Sequence, residues 1–181
     1  RRLNIAREAL GNQVQLMIDA NQVWEVNQAI EWVNKLQFAS PFFIEEPTSP
    51  DDVSGHKTIK NGVFPIKVAT GEMCQNRIIF KQFIKEDAID IIQIDSCRMG
   101  GLNEVLAVMI MAEKYKKPVW PHAGGVGLCE YVQHISMIDY LLISCEKNSK
   151  RIEYVDHLHE HFLHPCKIMN GNYMAPFDPG F

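Results

Sequence analysis

No stretch of the 181 residues comes near the roughly 18 consecutive apolar residues of a membrane-spanning helix. Arg1-Arg2-Leu3-Asn4 opens the chain without the apolar core of a secretory signal. A soluble piece with no membrane partner is expected. Positive charge is scarce too: 18 Lys and Arg stand against 22 Asp and Glu, for a formal charge of -4. That balance gives no basic face of the kind that holds nucleic acid or anionic lipid, so no nucleic acid partner is expected. Cysteine is sparse. Cys74, Cys97, Cys129, Cys145 and Cys166 are odd in number, scattered and without a C-x-x-C pair, so the pattern signals neither a disulfide framework nor a zinc knuckle, and a reducing compartment fits. They are read as small buried hydrophobes and given no role. No two strand runs are joined by a two-residue hairpin turn, which argues against a sandwich.

What the sequence does have is period. Short apolar runs, each ending in or beside a polar residue, read as strands covered on both faces: Gln15 to Asp19, Phe42 to Glu46, Ile66 to Thr70, Ile91 to Asp95, Val119 to His122 and Arg151 to Val155. Between the first two, Val26, Ala29, Ile30, Val33 and Leu36 make one apolar stripe along a helix. After Gly101, Val105, Leu106, Met109 and Ala112 repeat the stripe, and Lys114, Lys116 and Lys117 gather at the C-terminal end, where cations suit the helix dipole. Arg1 to Leu10 reads as the tail of another helix, capped by Gly11, so the chain is expected to open inside a longer protein.

The polar strand ends fall at Asp19, Glu45, Glu72, Asp95, His122 and Glu153, in steps of 23 to 31 residues, each the length of one βα unit. Six such units suit an open doubly wound sheet or a segment of a (β/α)8 barrel. The barrel is favoured, because it gathers successive strand ends on one pocket whereas an open sheet spreads them along an edge. A full barrel needs about 250 residues, so residues 1 to 181 are read as the C-terminal part of an α/β, TIM-type barrel lacking its first strands.

Asp19, Glu45 and Glu72 at successive strand tips would repel one another if dry and unpaired. A divalent cation resolves the conflict, and an all-oxygen set suits Mg2+ better than zinc. Parity alone does not choose between Glu45 and Glu46. Beyond them, Asp95 could accept the Nδ1 proton of His122, orient the ring and raise its basicity, which would make His122 a general acid or base. The following Gly124-Gly125-Val126-Gly127 would let a ligand approach the backbone closely. His157, His159, His161 and His164 invite a zinc reading, since positions 157, 161 and 164 share one face if the segment is helical. No H-E-x-x-H is present, however, and they are read as surface and supporting histidines.

The runs Met17-Ile18-Asp19-Ala20-Asn21-Gln22, Phe43-Ile44-Glu45-Glu46-Pro47, Ala69-Thr70-Gly71-Glu72, Gln93-Ile94-Asp95 and Pro121-His122-Ala123-Gly124-Gly125 together resemble the barrel of the enolase superfamily, mandelate racemase branch. Glu46-Pro47-Thr48-Ser49-Pro50-Asp51-Asp52 and Glu153-Tyr154-Val155-Asp156-His157-Leu158-His159-Glu160-His161-Phe162 are similar, more narrowly, to the L-fuconate dehydratases of that branch. The resemblance spans essentially the whole chain. It implies Mg2+ on Asp19, Glu45 and Glu72, a catalytic dyad of Asp95 and His122, and substrate contacts from Asn21, Glu72, His122 and Glu153.

It further implies a hydro-lyase that takes L-fuconate to 2-keto-3-deoxy-L-fuconate, in the mitochondrion or the cytoplasm, with self-association expected of an incomplete barrel. The family's capping domain, and the Lys-x-Lys pair on its second barrel strand that supplies the base, would precede Arg1. Two competing expectations stand beside this one: a truncated, non-catalytic binding or regulatory product, and a dehydratase of another acid sugar.

Overall fold

The runs Phe42 to Glu46, Ile66 to Thr70, Ile91 to Asp95 and Val119 to His122 are largely buried, so their amides need partners from neighbouring strands, whereas Gln15 to Asp19 and Arg151 to Val155, expected to be covered on both faces, are half-buried to exposed. The computed structural model describes residues 1–179. It falls into two units: Arg1–Gly71 with Ile78–Ile91, and Glu72–Arg77 with the residues from Ile92 onward.

In the first unit, α1 (Arg2–Leu10) ends at Gly11, whose φ is 68° and whose N–H donates to the Arg7 carbonyl at 2.9 Å, the stop the sequence predicts. β1 (Met17–Asp19) and α2 (Val26–Lys35) follow, then β2 (Phe43–Glu45), α3 (Val53–Gly62), β3 (Lys67–Thr70) and α4 (Arg77–Lys85). The strands pair in parallel in chain order. Met17, Ile18 and Asp19 lie opposite Phe43, Ile44 and Glu45, which in turn lie opposite Lys67, Val68 and Ala69. β4 (Ile91–Ile92) continues the sheet beyond β3. At that junction the Asp90 N–H donates to the Val68 carbonyl, the Asp90 carboxylate accepts the Val68 N–H at 2.9 Å, and Lys60 bridges Asp87 and Asp90.

The predicted stripe of α2 buries Ala29 and Val33, and α3 turns His56 and Ile59 inward. Gly62 lets the two helices approach, since a Cβ there would stand 3.0 Å from Ile30. α3 starts on Asp52, whose carboxylate accepts the Gly55 N–H at 2.7 Å. His56 is a core histidine: burial pushes its pKa down, against the Asp52 carbonyl 2.8 Å from Nδ1 and the Asp52 charge, which keeps it neutral.

The second unit carries the same parallel pattern. Ile92 N–H donates to the Pro118 carbonyl, Trp120 N–H to Ile92, His122 N–H to Ile94, and Glu153 N–H to Pro121, at 2.9 to 3.3 Å. α5 (Leu102–Lys114) buries Val105, Met109 and Ala112 from the predicted stripe, together with Val108, and α6 (Leu128–Ile138) buries Leu128, Cys129, Val132 and Ile135.

Three expectations change. Val119 to His122 forms only an isolated bridge, Ile92 to Val119, and Arg151 to Val155 forms no regular strand, because Pro118 and Pro121 remove two N–H donors from the ladder between them. Ile91 to Asp95 is regular only over β4. A hairpin that the sequence reading excluded is also present. β5 (Ile168–Met169) and β6 (Asn172–Tyr173) pair antiparallel across Asn170-Gly171, both at positive φ, the turn chemistry that a two-residue hairpin requires.

Candidate functional site

The first unit supplies carboxylates at adjacent strand ends. Parallel register sets Asp19 directly opposite Glu45. Asn21 orients Asp19 on both oxygens: its N–H donates to Oδ1 at 2.8 Å and its side-chain amide donates to Oδ2. Glu45 and Glu46 differ in their surroundings. Glu46, at φ 42°, turns inward, is 1% exposed, and accepts the Gln22 amide on both oxygens at 2.8 and 2.9 Å, while Glu45 stays half-buried at the strand end. Asn21, Gln22 and Glu46 all hold positive φ without being glycine, backbone strain concentrated beside these acids. Asp19 and Glu45 offer oxygen only, a donor chemistry suited to a hard divalent cation. Glu72, the third acid, belongs to the second unit.

In that second unit the side chains of Glu72, Asp95, His122 and Glu153 come together. His122 Nδ1 lies 2.9 Å from Asp95 Oδ2, and Asp95 Oδ1 accepts the N–H groups of Cys97 and Arg98 at 2.7 and 2.9 Å, which fixes the carboxylate. His122 Nε2 lies 3.3 Å from Glu72 Oε2 and 3.6 Å from Glu153 Oε2. Glu153 is held in turn by the Ala123 N–H at 2.6 Å.

Charge decides the protonation state. Burial alone would lower the His122 pKa, but the Asp95 hydrogen bond and the negative charges of Glu72, Glu153 and Asp95 overcome it and push the pKa up to about 9. Burial likewise works to raise the Asp95 pKa, and the His122 hydrogen bond with the two backbone amides brings it below the usual range. The Gly124 N–H also points at Nε2, at 3.3 Å, a contact that suits the neutral ring, whereas Glu72 suits the protonated one. The raised pKa makes the protonated form dominant at neutral pH, and one atom thus has a partner in each state, as a group that gives and takes a proton requires. Gly124 must be small: a Cβ there would stand 2.5 Å from Nε2.

A cavity of about 530 Å³ in the same unit is lined by Tyr140, Lys150, Arg151 and Tyr154 among others, and none of Glu72, Asp95, His122 and Glu153 borders it. The histidine segment forms no helical face: it holds only a short 3-10 turn, His159–His161, and His157, His161 and His164 are exposed, as the surface reading expects. His159 alone is buried, beside Cys129 and Cys166. The sequence reading missed that grouping, and it also missed the Gln22 to Glu46 pairing, whose only sequence signal was the Glu45-Glu46 doublet.

Comparison with known proteins places the chain in a family. Residues 1–181 match the family described as Enolase C-terminal domain-like. The chain is 58% identical to the L-galactonate dehydratase of Hypocrea jecorina, over 100% of this chain and 41% of that protein. The crystal structure of human mitochondrial enolase superfamily member 1 superposes with a TM-score of 0.97 at 52% identity, covering 99% of this chain and 41% of that one. L-talarate/galactarate dehydratase from Salmonella typhimurium LT2, solved with Mg and L-lyxarohydroxamate, superposes with a TM-score of 0.82 at 30% identity over 96% of this chain and 41% of that one. The chain thus spans about two fifths of the length of the relatives it matches. Its α/β architecture is that of part of an enolase-superfamily TIM barrel, as the sequence predicts.

Proposed function

Because the chain belongs to the Enolase C-terminal domain-like family, we propose that the full-length protein, of which these residues form the C-terminal part of the barrel, is an acid-sugar dehydratase. The observation that carries this reading is the His122–Asp95 pair, 2.9 Å between Nδ1 and Oδ2, with Nε2 turned toward Glu72 and Glu153. L-fuconate is the substrate the sequence motifs imply, and L-galactonate is the one named by a 58% identical relative. The two acids differ only at C6, so one site could take both. A mitochondrial location belongs to the same proposal and rests on a relative's name.

Asp19, Glu45 and Glu72 are the residues we assign to Mg2+, which when bound would supply positive charge against the charge developing on a substrate carboxylate. Support comes from the oxygen-only donors, the register of Asp19 with Glu45, and the Mg bound to the Salmonella relative. The chain's own residues do the rest. Asn21 orients Asp19 and, with Glu153, is assigned to substrate contact. A base, the family's lysine, takes the proton α to the carboxylate. His122 Nε2–H then gives its proton to the 3-hydroxyl as the C3–O bond breaks; water leaves, and the resulting enol tautomerises to the 2-keto-3-deoxy acid. Asp95 holds Nδ1–H throughout and stabilises the imidazolium before transfer.

The test is to incubate the full-length protein with Mg2+ and a panel of acid sugars including L-fuconate and L-galactonate, and to follow the 2-keto-3-deoxy product. Turnover stopped by EDTA supports the proposal. No product from any acid sugar, with Mg2+ bound, overturns it in favour of the non-catalytic reading.

A further inference from the structure

Away from the strand ends, Cys129 on α6, His159 on the 3-10 turn and Cys166 before the hairpin converge in the second unit, all buried, with one ligand atom from each within 4.8 Å of the others. Glu130, next to Cys129 on α6, is 2% exposed. One of its oxygens accepts the Cys166 N–H at 3.2 Å and stands 3.6 Å from His159 Nε2, while the other, Oε2, is buried with no hydrogen-bond partner. A buried carboxylate oxygen left unpaired is costly, and nothing about the proton-transfer site at the strand ends calls for it.

We infer that Cys129, His159 and Cys166 form a binding site for a thiophilic divalent ion, zinc being the first candidate, with Glu130 as its buried oxygen donor. Two sulfurs and an imidazole nitrogen exclude magnesium or calcium and select zinc or its neighbours. Tetrahedral zinc with sulfur at about 2.3 Å needs donors roughly 3.8 Å apart, so the three donors need close by about 1 Å at most. The surroundings are those of a ligating histidine. Nε2 lies 3.6 Å from Glu130 Oε1, Nδ1 lies 3.4 Å from Asp156 Oδ1, and the rings of Tyr154 and Phe162 stand edge-on to the imidazole at 5.6 and 6.4 Å. A carboxylate on the outer nitrogen is the usual way of fixing such a ring. The Val155 N–H, 3.5 Å from Cys129 Sγ, would stabilise the thiolate, and the Sγ proton now directed at the Val155 carbonyl at 3.4 Å would leave as the ion binds. The sequence hides this site because its members are 30 and 7 residues apart and come from a helix, a turn and a loop.

The test uses the full-length protein, purified under reducing conditions and stripped of metal, titrated with Co2+ and then Zn2+ in excess Mg2+. The expected result is one Co2+ per chain with thiolate-to-cobalt charge-transfer absorption and intense tetrahedral d–d bands, displaced by Zn2+. Cys166→Ser should lose at least half of the charge-transfer absorption per bound Co2+ while its acid-sugar turnover stays at the wild-type rate, and Asp156→Asn should weaken the ion about tenfold. Because the spectrum is read on the wild-type protein, a variant that fails to fold does not decide the matter. Absence of a thiolate band in folded, reduced protein overturns the site, as does a Cys129 to Cys166 disulfide in the freshly isolated protein, which would assign the pair to redox chemistry.

Discussion

Two histidines of the same unit, His122 and His159, are both shielded and both flanked by carboxylates, yet they are built in opposite ways. His122 sits where parallel ladder bonds set it beside Asp95: its N–H donates to Ile94, one residue before that acid, and Glu153 N–H donates to Pro121, one residue before the histidine. Its neighbours are therefore hard oxygen groups delivered by strand register, and their charges raise the ring's pKa to about 9. His159 meets two thiols and a buried glutamate delivered by a helix and by irregular loops. Backbone pairing gathers carboxylates around one ring, and loop packing gathers thiols around the other.

The sharpest way to break the comparison is to remove one histidine at a time. His122→Asn should lower dehydration in the full-length protein by roughly 10²- to 10⁴-fold, the span of a lost general acid, without touching Co2+ absorption at the cysteines. Retained turnover would remove His122 from the mechanism.

Asp95→Asn should come next. The ring loses its acceptor at Nδ1, and the basic limb of the kcat profile should move to lower pH along with a drop in rate of roughly 10²-fold or more. An unmoved pH profile would show that Asp95 does not tune His122. Gly124→Ala should then cost about tenfold or more in kcat, because its Cβ would stand 2.5 Å from Nε2 and the ring must turn away. Wild-type kcat in a folded Gly124→Ala protein would mean that the ring position is not critical.

The last effect is thermodynamic. A folded pKa raised from 6.5 to about 9 gives stability that is fully present below pH 6.5 and lost as pH rises through 9. A depressed Asp95 pKa gives stability present above its usual 3.8 and lost as pH falls through the lower folded value. In magnesium-free protein the His122 contribution is on the order of 3 kcal/mol at most, less whatever solvent screens. The urea midpoint should therefore fall between about pH 7 and about pH 10, and His122→Asn should flatten that fall. A midpoint that rises over this range would reverse the sign of the His122 coupling.

Much of this was legible in the sequence for one physical reason: strands buried on both faces must be continuous apolar runs, and βα units have nearly constant length, so the polar residues that end them repeat with a period. Asp19, Glu72, Asp95, His122 and Glu153 stand out as candidates that way, as do the stripes of α2 and α5. Glu45 and Glu46 could not be separated, because the choice turns on a positive φ at Glu46 and on Gln22 being placed to bind it. The last two strand runs read too strongly because apolar pattern does not register the N–H groups missing at Pro118 and Pro121. Asn170-Gly171 carried a hairpin signal that was passed over, since the residues on either side lack the long alternation of a strand pair. The cysteines gave nothing away because their grouping depends on packing alone.

The most direct measurement is made in D2O on His122→Asn of the full-length protein, with Mg2+ and the acid sugar that the wild type dehydrates, following both exchange of the α-proton and formation of the 2-keto-3-deoxy product. If the base lies elsewhere and His122 serves the departing hydroxyl, exchange continues while product stops. Product that still forms, or exchange that vanishes with it in a folded variant that binds Mg2+, would contradict the role assigned to His122.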